Sequence, residues 1–163
     1  DSANTALESD PAVPKATITC DGSLSGASVT LADSLVSTST TATITFTICK
    51  PLPADGKVSI DFPTGFDVSG AAVDSATGMD GGTSVAVTGD DVVVARDGTG
   101  AAVASGTTVT VVLKTVVNPS VPGDTGVFGV GTTDSANTAL ESDPAVPAEL
   151  LHKSEGINKT ALG

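Results

Sequence analysis

TATITFTI at residues 41–48 decides the fold class of this chain. Apolar and hydroxyl side chains alternate along it with a period of two, which is the pattern of a β-strand with one buried face. One set of side chains is therefore expected to enter a core and the other set to face outward. The inward set is Ala42, Ile44, Phe46 and Ile48, and the outward set is Thr41, Thr43, Thr45 and Thr47.

Shorter alternating stretches flank this strand, separated by clusters of Gly, Asp and Pro. They favour an all-β fold, an antiparallel immunoglobulin-like β-sandwich of about seven or eight short strands. A closed β-barrel is the alternative. The predicted strands are 16–19, 27–33, 57–62 with Val58, Ile60 and Phe62 inward, 107–117 and 126–133, together with a hairpin over 84–96 that turns at Gly89, Asp90 and Asp91.

Residues 1–14, DSANTALESDPAVP, return unchanged at 134–147, which gives an internal period of 133 residues. A fixed period of this kind is typical of tandem arrays. Both copies are polar, contain two prolines and lack apolar periodicity, so we expect them to be stiff linkers. The predicted organisation is a linker from a preceding repeat at 1–15, a β-sandwich repeat at 16–133, a second linker at 134–147 and a C-terminal tail at 148–163.

The two copies continue differently, as KATITC after the first and as AELLHK after the second. The second continuation predicts a helix-prone or disordered tail, which would leave the sheet without a closing strand of its own. An open sheet edge accepts a strand from another chain. Thr17, Ile18 and Thr19 are therefore expected to form an inter-unit strand, with Ile18 entering a sandwich. The alternative is that 16–19 is the first strand of its own domain.

The charge excludes several classes of partner. Nineteen acidic against seven basic residues give a net charge of −12, which repels nucleic acid and anionic membranes. No apolar run approaches the ~20 residues of a membrane span, so no membrane insertion is expected. The chain has four Phe and neither Tyr nor Trp, which argues against a broad aromatic binding platform.

The cysteine pair indicates a compartment. Cys20 and Cys49 are predicted to form a disulfide, because nothing near them resembles a metal site or a redox CxxC motif. Two small buried thiols are the alternative. A single bridge in a β-module rich in Ser, Thr and Gly favours an extracellular or cell-surface location.

The sequence lacks the combinations of residues that catalysis requires. His152 is the only histidine, it lies in the predicted tail, and no serine has the setting of an activated nucleophile. We expect no enzymatic activity and no cofactor, with Ca²⁺ as the one candidate.

Acidic turns supply the calcium candidates. Carboxylates and carbonyls are the ligands that Ca²⁺ prefers, although an Asp before a Gly is also ordinary turn chemistry. None of these residues has EF-hand spacing. The candidates are Asp80, Asp90, Asp91 and Asp97.

Glycosylation candidates lie in two places. Asn158 begins the sequon Asn-Lys-Thr, whereas Asn118 is followed by proline and does not qualify. The STSTT loop predicts O-linked sugar, and glycans are therefore candidate partners. Its acceptors are Ser37, Thr38, Ser39, Thr40 and Thr41.

Three stretches resemble repeat modules of very large algal and protist surface proteins. They are LPADGKVSIDFPTGFDVSG at 52–70, TGMDGG at 77–82 and GTTVTVVLKTVVNPSVPGDTGVFGVGTTDSA at 106–136. The resemblance implies an immunoglobulin-like array in a cell-surface coat, an adhesin or a mastigoneme-like flagellar hair. It implies nothing about a reaction, and the cysteine pair and the tail depart from the module.

The leading hypothesis is a non-catalytic structural repeat of an extracellular fibre, coat or filament, with copies of itself as partners. A Ca²⁺-dependent adhesion or carbohydrate-binding module is the second hypothesis. An ice-binding surface formed by the outward threonines of 41–47 is the third.

Overall fold

The computed structural model describes residues 20–153, which form strands joined by turns and loops. No helix of the length and apolarity required to cross a membrane occurs within these residues. The strands are β1 (Ser25–Leu31), β2 (Ser39–Thr47), β3 (Lys57–Asp61), β4 (Ala72–Thr77), β5 (Thr83–Thr88), β6 (Asp91–Arg96), β7 (Thr108–Val117), β8 (Gly123–Asp124), β9 (Phe128–Thr133), β10 (Ala139–Val146) and β11 (Leu150–Leu151).

Two antiparallel sheets carry the fold, with a small ribbon beside them. One sheet has the order β1-β2-β7-β4 and the other β10-β9-β3-β6-β5, while β11 pairs with β8. The first sheet and the strands β3, β9 and β10 follow the strand order of an immunoglobulin constant-type domain, and the β5–β6 hairpin widens the second sheet. The predicted all-β, immunoglobulin-like sandwich is confirmed.

The predicted inward rows form the core. Ala42, Ile44 and Phe46 of β2 have no exposed surface, and the same is true of Val58 and Ile60 on β3. The outward threonines of β2 are partly exposed. The alternation in 41–48 therefore identifies the faces of this strand correctly.

Residues 139–146 correct the linker prediction for 134–147. They form β10, which pairs with β9 along the edge of the five-stranded sheet. Two features concealed the strand in the sequence. One of its two buried positions is occupied by Glu141 rather than by an apolar residue, and Pro144 lies within it. An edge strand tolerates proline because one row of its backbone groups does not pair within the sheet.

For the described part of the tail, residues 148–153, the expectation of a helix-prone or disordered segment was also wrong, and so was that of a missing closing strand. Leu150 and Leu151 pair with Asp124 and Gly123, and Leu151 is 2% exposed. Leu150 and Leu151 alone form β11, because this strand is only two residues long. We refer to residues 139–152 as the closing segment, since they complete the sandwich. The predicted strand at 16–19 lies outside the described residues.

Strand β4 was not predicted either. Its sequence AVDSAT lacks clean alternation because β4 is an edge strand with no fully buried residue. It pairs with β7 across a bulge between Val73 and Ser75. Pairing with β7 therefore positions β4 more than the residue pattern of β4 does.

The sandwich has two ends, which we name after the residues found there. At the Cys20 end, Cys49 lies two residues beyond Thr47, the last residue of β2. At the His152 end, the His152 amide donates to the Ser34 carbonyl (2.8 Å), close to where β2 begins. The nine residues of β2 connect the two ends, a distance of about 26 Å at ~3.3 Å per residue.

The core assignment predicts unequal effects for two neighbouring residues of β2. Phe46→Ala should lower the free energy of unfolding by about 3–5 kcal/mol, because it leaves a cavity at a fully buried site. Thr45→Ala should cost at most about 1 kcal/mol, because it removes one hydroxyl contact to Thr110 (3.2 Å) on a partly exposed face. Urea denaturation followed by circular dichroism measures both losses. Similar losses would contradict the assignment of faces.

Candidate functional site: the position of the closing segment

Glu141 is a buried charged residue near the start of the closing segment, with 2% of its surface exposed. Both of its carboxylate oxygens accept from the Cys49 amide at 3.0 Å. Glu141 belongs to one sheet and Cys49 follows a strand of the other sheet. The carboxylate therefore joins the two layers, and a hydrogen bond to a charged acceptor is among the stronger kinds.

Two lysines hold the backbone that leads into Glu141. Lys50 Nζ donates to the Leu140 carbonyl at 2.9 Å. Lys57 Nζ donates to the Ser135 carbonyl at 3.1 Å and to Asn137 Oδ1 at 2.6 Å. Asn137 has a φ of 65°, the left-handed region that asparagine tolerates in turns. The repeated sequence 134–147 is thus bound to the domain by side chains of the loop and strand that follow β2.

The predicted disulfide is present beside Glu141. Cys20 and Cys49 are bonded, with a Cα–Cα distance of 5.6 Å and a sequence separation of 29 residues. The bridge fixes the beginning of the described chain to the end of β2, next to the amide that Glu141 binds.

Cys20, Cys49 and Glu141 also form a group with the proximity of metal ligands. A metal requires thiolates, and these two sulfurs are bonded to each other. The donor set therefore does not suit a metal ion while the bridge is intact. This is the only such group of three within residues 20–153.

The outer edge of β10 is partly covered. The Ser142 amide donates to the Gly22 carbonyl at 2.9 Å, and the Leu24 amide donates to the Ser142 carbonyl at 3.3 Å. Ser23 and Ser142 form a parallel bridge. The chain after Cys20 therefore runs alongside the closing segment in the same direction.

The far half of the closing segment lies at the apolar His152 end. Val146 has no exposed surface and pairs with Phe128 of β9. The Phe128 ring lies 5.6 Å from both Phe62 and Phe66, centroid to centroid. Val146 and Leu151 complete this buried cluster from the edge strand and the ribbon.

The calcium candidates are not gathered into one group. Asp80 and Asp97 lie near the open end of the β5–β6 hairpin, whereas Asp90 and Asp91 lie at its turn. The two pairs are separated by the length of the hairpin. Calcium binding stays a prediction for each end.

Asp80 and Asp97 have other partners in this structure. Asp80 Oδ1 accepts from the buried Arg96 (3.1 Å) and from the Ala101 amide (2.9 Å). Asp97 Oδ1 accepts from the amide and the hydroxyl of Thr99 at 2.9 and 2.6 Å, and these hydrogen bonds lower the pKa of Asp97. Both carboxylates thus organise the loops around Arg96.

Asp91 has a different electrostatic environment. Burial raises its pKa, and the carboxylate of Asp61, its partner on β3, raises it further. The charged form of Asp91 is therefore less favourable in the folded domain than in the unfolded chain.

The glycosylation candidates are placed unequally. Thr40 is 7% exposed and its Oγ1 accepts from the Asp33 amide at 2.8 Å, so it does not suit an acceptor in the folded domain. Ser37 and Ser39 are exposed, and Thr38 and Thr41 are partly exposed. O-glycosylation of these four stays a prediction. Asn158, Thr17, Ile18 and Thr19 lie outside the described residues.

The outward threonines of β2 contact threonines of the neighbouring strand. Thr45 and Thr47 make hydroxyl contacts to Thr110 (3.2 Å) and Thr108 (2.9 Å) of β7. These contacts explain the row as ordinary cross-strand pairing. Ice binding by this face stays a prediction.

The two ends of the sandwich have different surfaces. At the Cys20 end, a cleft of about 570 Å³ is lined by residues that include Leu24, Ile48 and the disulfide. At the His152 end, Val121 is 72% exposed and Val127 is 57% exposed. A concave, partly apolar surface and protruding apolar side chains thus lie at opposite ends.

Sequence reasoning did not identify Glu141, Lys50 or Arg96 as important. Arg96 is 4% exposed and donates to the Pro53 carbonyl (2.6 Å) and the Ala101 carbonyl (2.6 Å). For Glu141 a signal existed, because it lies in a segment that is repeated letter for letter. A charged residue retained in both copies of a presumed linker is open to a structural interpretation.

No protein-family model matches the chain, and no curated protein matches it. The chain is similar in structure to an immunoglobulin-like protein from Nocardia farcinica (13% identity, 78% of this chain, 97% of that chain, TM-score 0.48). It is also similar to the chitin-binding domain of Chi18aC from Streptomyces coelicolor (19% identity, 70% of this chain, 93% of that chain, TM-score 0.40). A third similar structure is a non-cellulosomal cohesin from Archaeoglobus fulgidus (8% identity, 71% of this chain, 83% of that chain, TM-score 0.36). Likenesses of this size carry no conclusion about a ligand.

Removing the Glu141 carboxylate should destabilise the domain. We expect Glu141→Ala to lower the free energy of unfolding by about 1.5–3 kcal/mol, because the Cys49 amide loses a charged acceptor. Glu8→Ala makes the same change in the first copy and should leave the stability unchanged. Chemical denaturation of both variants measures the difference. Equal losses would show that the Cys49 contact is not specific to the second copy.

Asp91→Asn should stabilise the domain at neutral pH. Because the pKa of Asp91 is raised in the folded domain, its ionised form lowers the free energy of unfolding at a pH above that folded-state pKa. The loss disappears at a pH below the unfolded-state pKa of about 3.9, where the carboxyl is protonated in both states. The advantage of the variant should therefore shrink as the pH falls toward that value. Thermal unfolding across pH 3–8 measures it, with Asp90→Asn as the neighbouring control. A pH-independent difference would contradict this account.

Proposed function

We propose that this domain is a non-catalytic structural unit of an extracellular filament or coat, in which units follow one another head to tail. The observation that carries the proposal is the position of the repeated segment. It begins beside the disulfide at the Cys20 end and runs to the His152 end as the last strands of the sandwich. The described part of the chain, residues 20–153, thus starts and finishes at opposite ends of the unit.

The repeat aligns residues 6–19 with the closing segment 139–152. Thr17 and Ile18 then correspond to Leu150 and Leu151, so that Ile18 matches the buried position of Leu151. Cys20, the bridged residue that begins the next unit, follows immediately after Thr19. In such an array the closing segment of one unit leads directly into the disulfide of the next, without a separate linker.

Surface chemistry at the two ends supports the same arrangement. Val121 and Val127 are exposed at the His152 end, which the next unit would follow, and the cleft beside Leu24 and Ile48 lies at the end that would meet them. Burial of exposed apolar side chains in a partly apolar cleft favours association. A contact between unlike surfaces is heterologous, and its repetition produces a filament rather than a closed ring.

The remaining observations agree with a surface role. The disulfide is typical of oxidising, extracellular compartments. A net charge of −12 keeps an exposed array soluble. The resemblance to algal and protist surface modules points to the same class of protein.

A tandem of residues 1–133 followed by 1–163 tests the proposal. Small-angle X-ray scattering should show a stiff two-unit rod, because Thr19 leads directly into the next Cys20. A control tandem with six Gly/Ser residues inserted between these two positions should show a broader distribution of lengths. If the uninterrupted tandem is as flexible as the control, the units do not form a rigid fibre.

A further inference from the structure

We propose that residues 6–19 of one chain can occupy the position of the closing segment in a second copy of this chain. The site is the groove that residues 139–152 fill, and the partner is another molecule of the same protein. The inference deepens the proposed head-to-tail function and rests on it for its biological meaning. It adds that separate chains can join by exchanging this segment.

The first reason is chemical identity. Residues 6–14 have the sequence of 139–147 without change. Glu8 therefore corresponds to Glu141, whose carboxylate binds the Cys49 amide, and Val13 corresponds to the fully buried Val146. A binding site discriminates through differences between its ligands. Over these nine residues the two segments have identical side chains, so the groove cannot distinguish one from the other.

The second reason is that the non-identical part keeps the required contacts. The His152 amide donates to the Ser34 carbonyl (2.8 Å), and the His152 carbonyl accepts from the Val36 amide (3.0 Å). Any residue other than proline can make both backbone hydrogen bonds. The corresponding residue is Thr19. Ile18 supplies an apolar side chain for the position of Leu151. The segment thus retains both the backbone bonds and the apolar contact.

The third reason is geometric and determines which copy accepts the segment. If residues 6–19 filled the closing position of their own domain, Thr19 would lie at the His152 end. Cys20 is fixed at the opposite end by its bond to Cys49. Consecutive Cα atoms are only about 3.8 Å apart, whereas the ends are separated by about 26 Å. The whole segment can therefore fill this position only in another chain.

Exchange is feasible because the closing segment lies at an edge. β10 pairs with one full strand, β9, and its other side contacts only residues 22–24 among the described backbone pairings. Edge elements open locally more readily than central strands. The chain's own segment has the advantage of being tethered, so the exchanged form should increase with protein concentration. Exchange of an identical element is the basis of domain swapping.

A cross-strand disulfide can trap the exchanged form in the full chain. Gly131 and Ser142 are partners between β9 and β10, and a Cβ built on Gly131 lies 3.7 Å from the Ser142 Cβ. This distance suits a disulfide. Ser9 corresponds to Ser142. A chain carrying Ser9→Cys and Gly131→Cys should therefore form a ladder of disulfide-linked oligomers on mild oxidation at high concentration.

Two matched controls define the result. Ser142→Cys with Gly131→Cys should form the bridge within one chain and stay monomeric, which also shows that the Gly131 change permits folding. Asp10→Cys with Gly131→Cys moves the thiol by one residue to the other face of the strand. It should give no ladder above the background of random oxidation. Mass spectrometry of the cross-linked peptides identifies the bridged positions.

A third variant biases the competition between the two segments. Val146→Asp places an unpaired carboxylate in the apolar His152 end of the chain's own segment. Added to the Ser9→Cys, Gly131→Cys chain, it should increase the ladder by at least about tenfold, and a further Val13→Asp should abolish the increase.

Two outcomes would overturn the proposal. One is the absence of a ladder both with and without Val146→Asp. The other is a bridge that joins the two introduced thiols, at positions 9 and 131, within a single chain. Neither result would affect the stiffness of the covalent tandem.

Discussion

The contact between the Glu141 carboxylate and the Cys49 amide is the interaction on which the rest of the architecture depends. It joins the edge strand of the five-stranded sheet to the end of β2 in the four-stranded sheet, beside the disulfide. A buried carboxylate is costly unless it is hydrogen-bonded, so its position on β10 is strongly specified. Beyond Glu141 the register with β9 shifts between Asp143 and Val146, which pairs with Phe128 at the apolar cluster before the chain continues to β11. The repeated segment thereby becomes part of the domain rather than a connection between domains.

Most of the sandwich could be predicted from period-two alternation, because β2, β3, β7 and the β5–β6 hairpin bury apolar rows that the sequence displays directly. The prediction failed where burial is not apolar. Glu141 finds its partner 92 residues away, and no local pattern announces such a contact. Asp80 and Asp91 showed the opposite problem. Their turn positions were recognisable, but only the length of the hairpin shows that they lie apart.

The acidic residues of the chain have different structural roles. Asp80 and Asp97 organise the loops around the buried guanidinium of Arg96, which also binds backbone carbonyls. Glu141 has a structural role in the closing segment. Burial and the neighbouring Asp61 on β3 raise the pKa of Asp91, so the ionised form of Asp91 opposes folding. Charge that appears in the composition as a uniform surplus therefore stabilises the fold in some places and destabilises it in others.

The parallel arrangement of residues 22–24 and Ser142 has a mechanical consequence. Tension applied along the chain pulls these two segments in opposite directions parallel to their own axes. Their hydrogen bonds are loaded together in shear, rather than broken one after another as in unzipping. The Cys20–Cys49 bond also prevents the 29-residue span that it closes from being pulled out once these hydrogen bonds break. β1 and β2 therefore contribute no extensible length when a unit gives way, and a stretched array would lengthen in steps set by residues 49–153 alone.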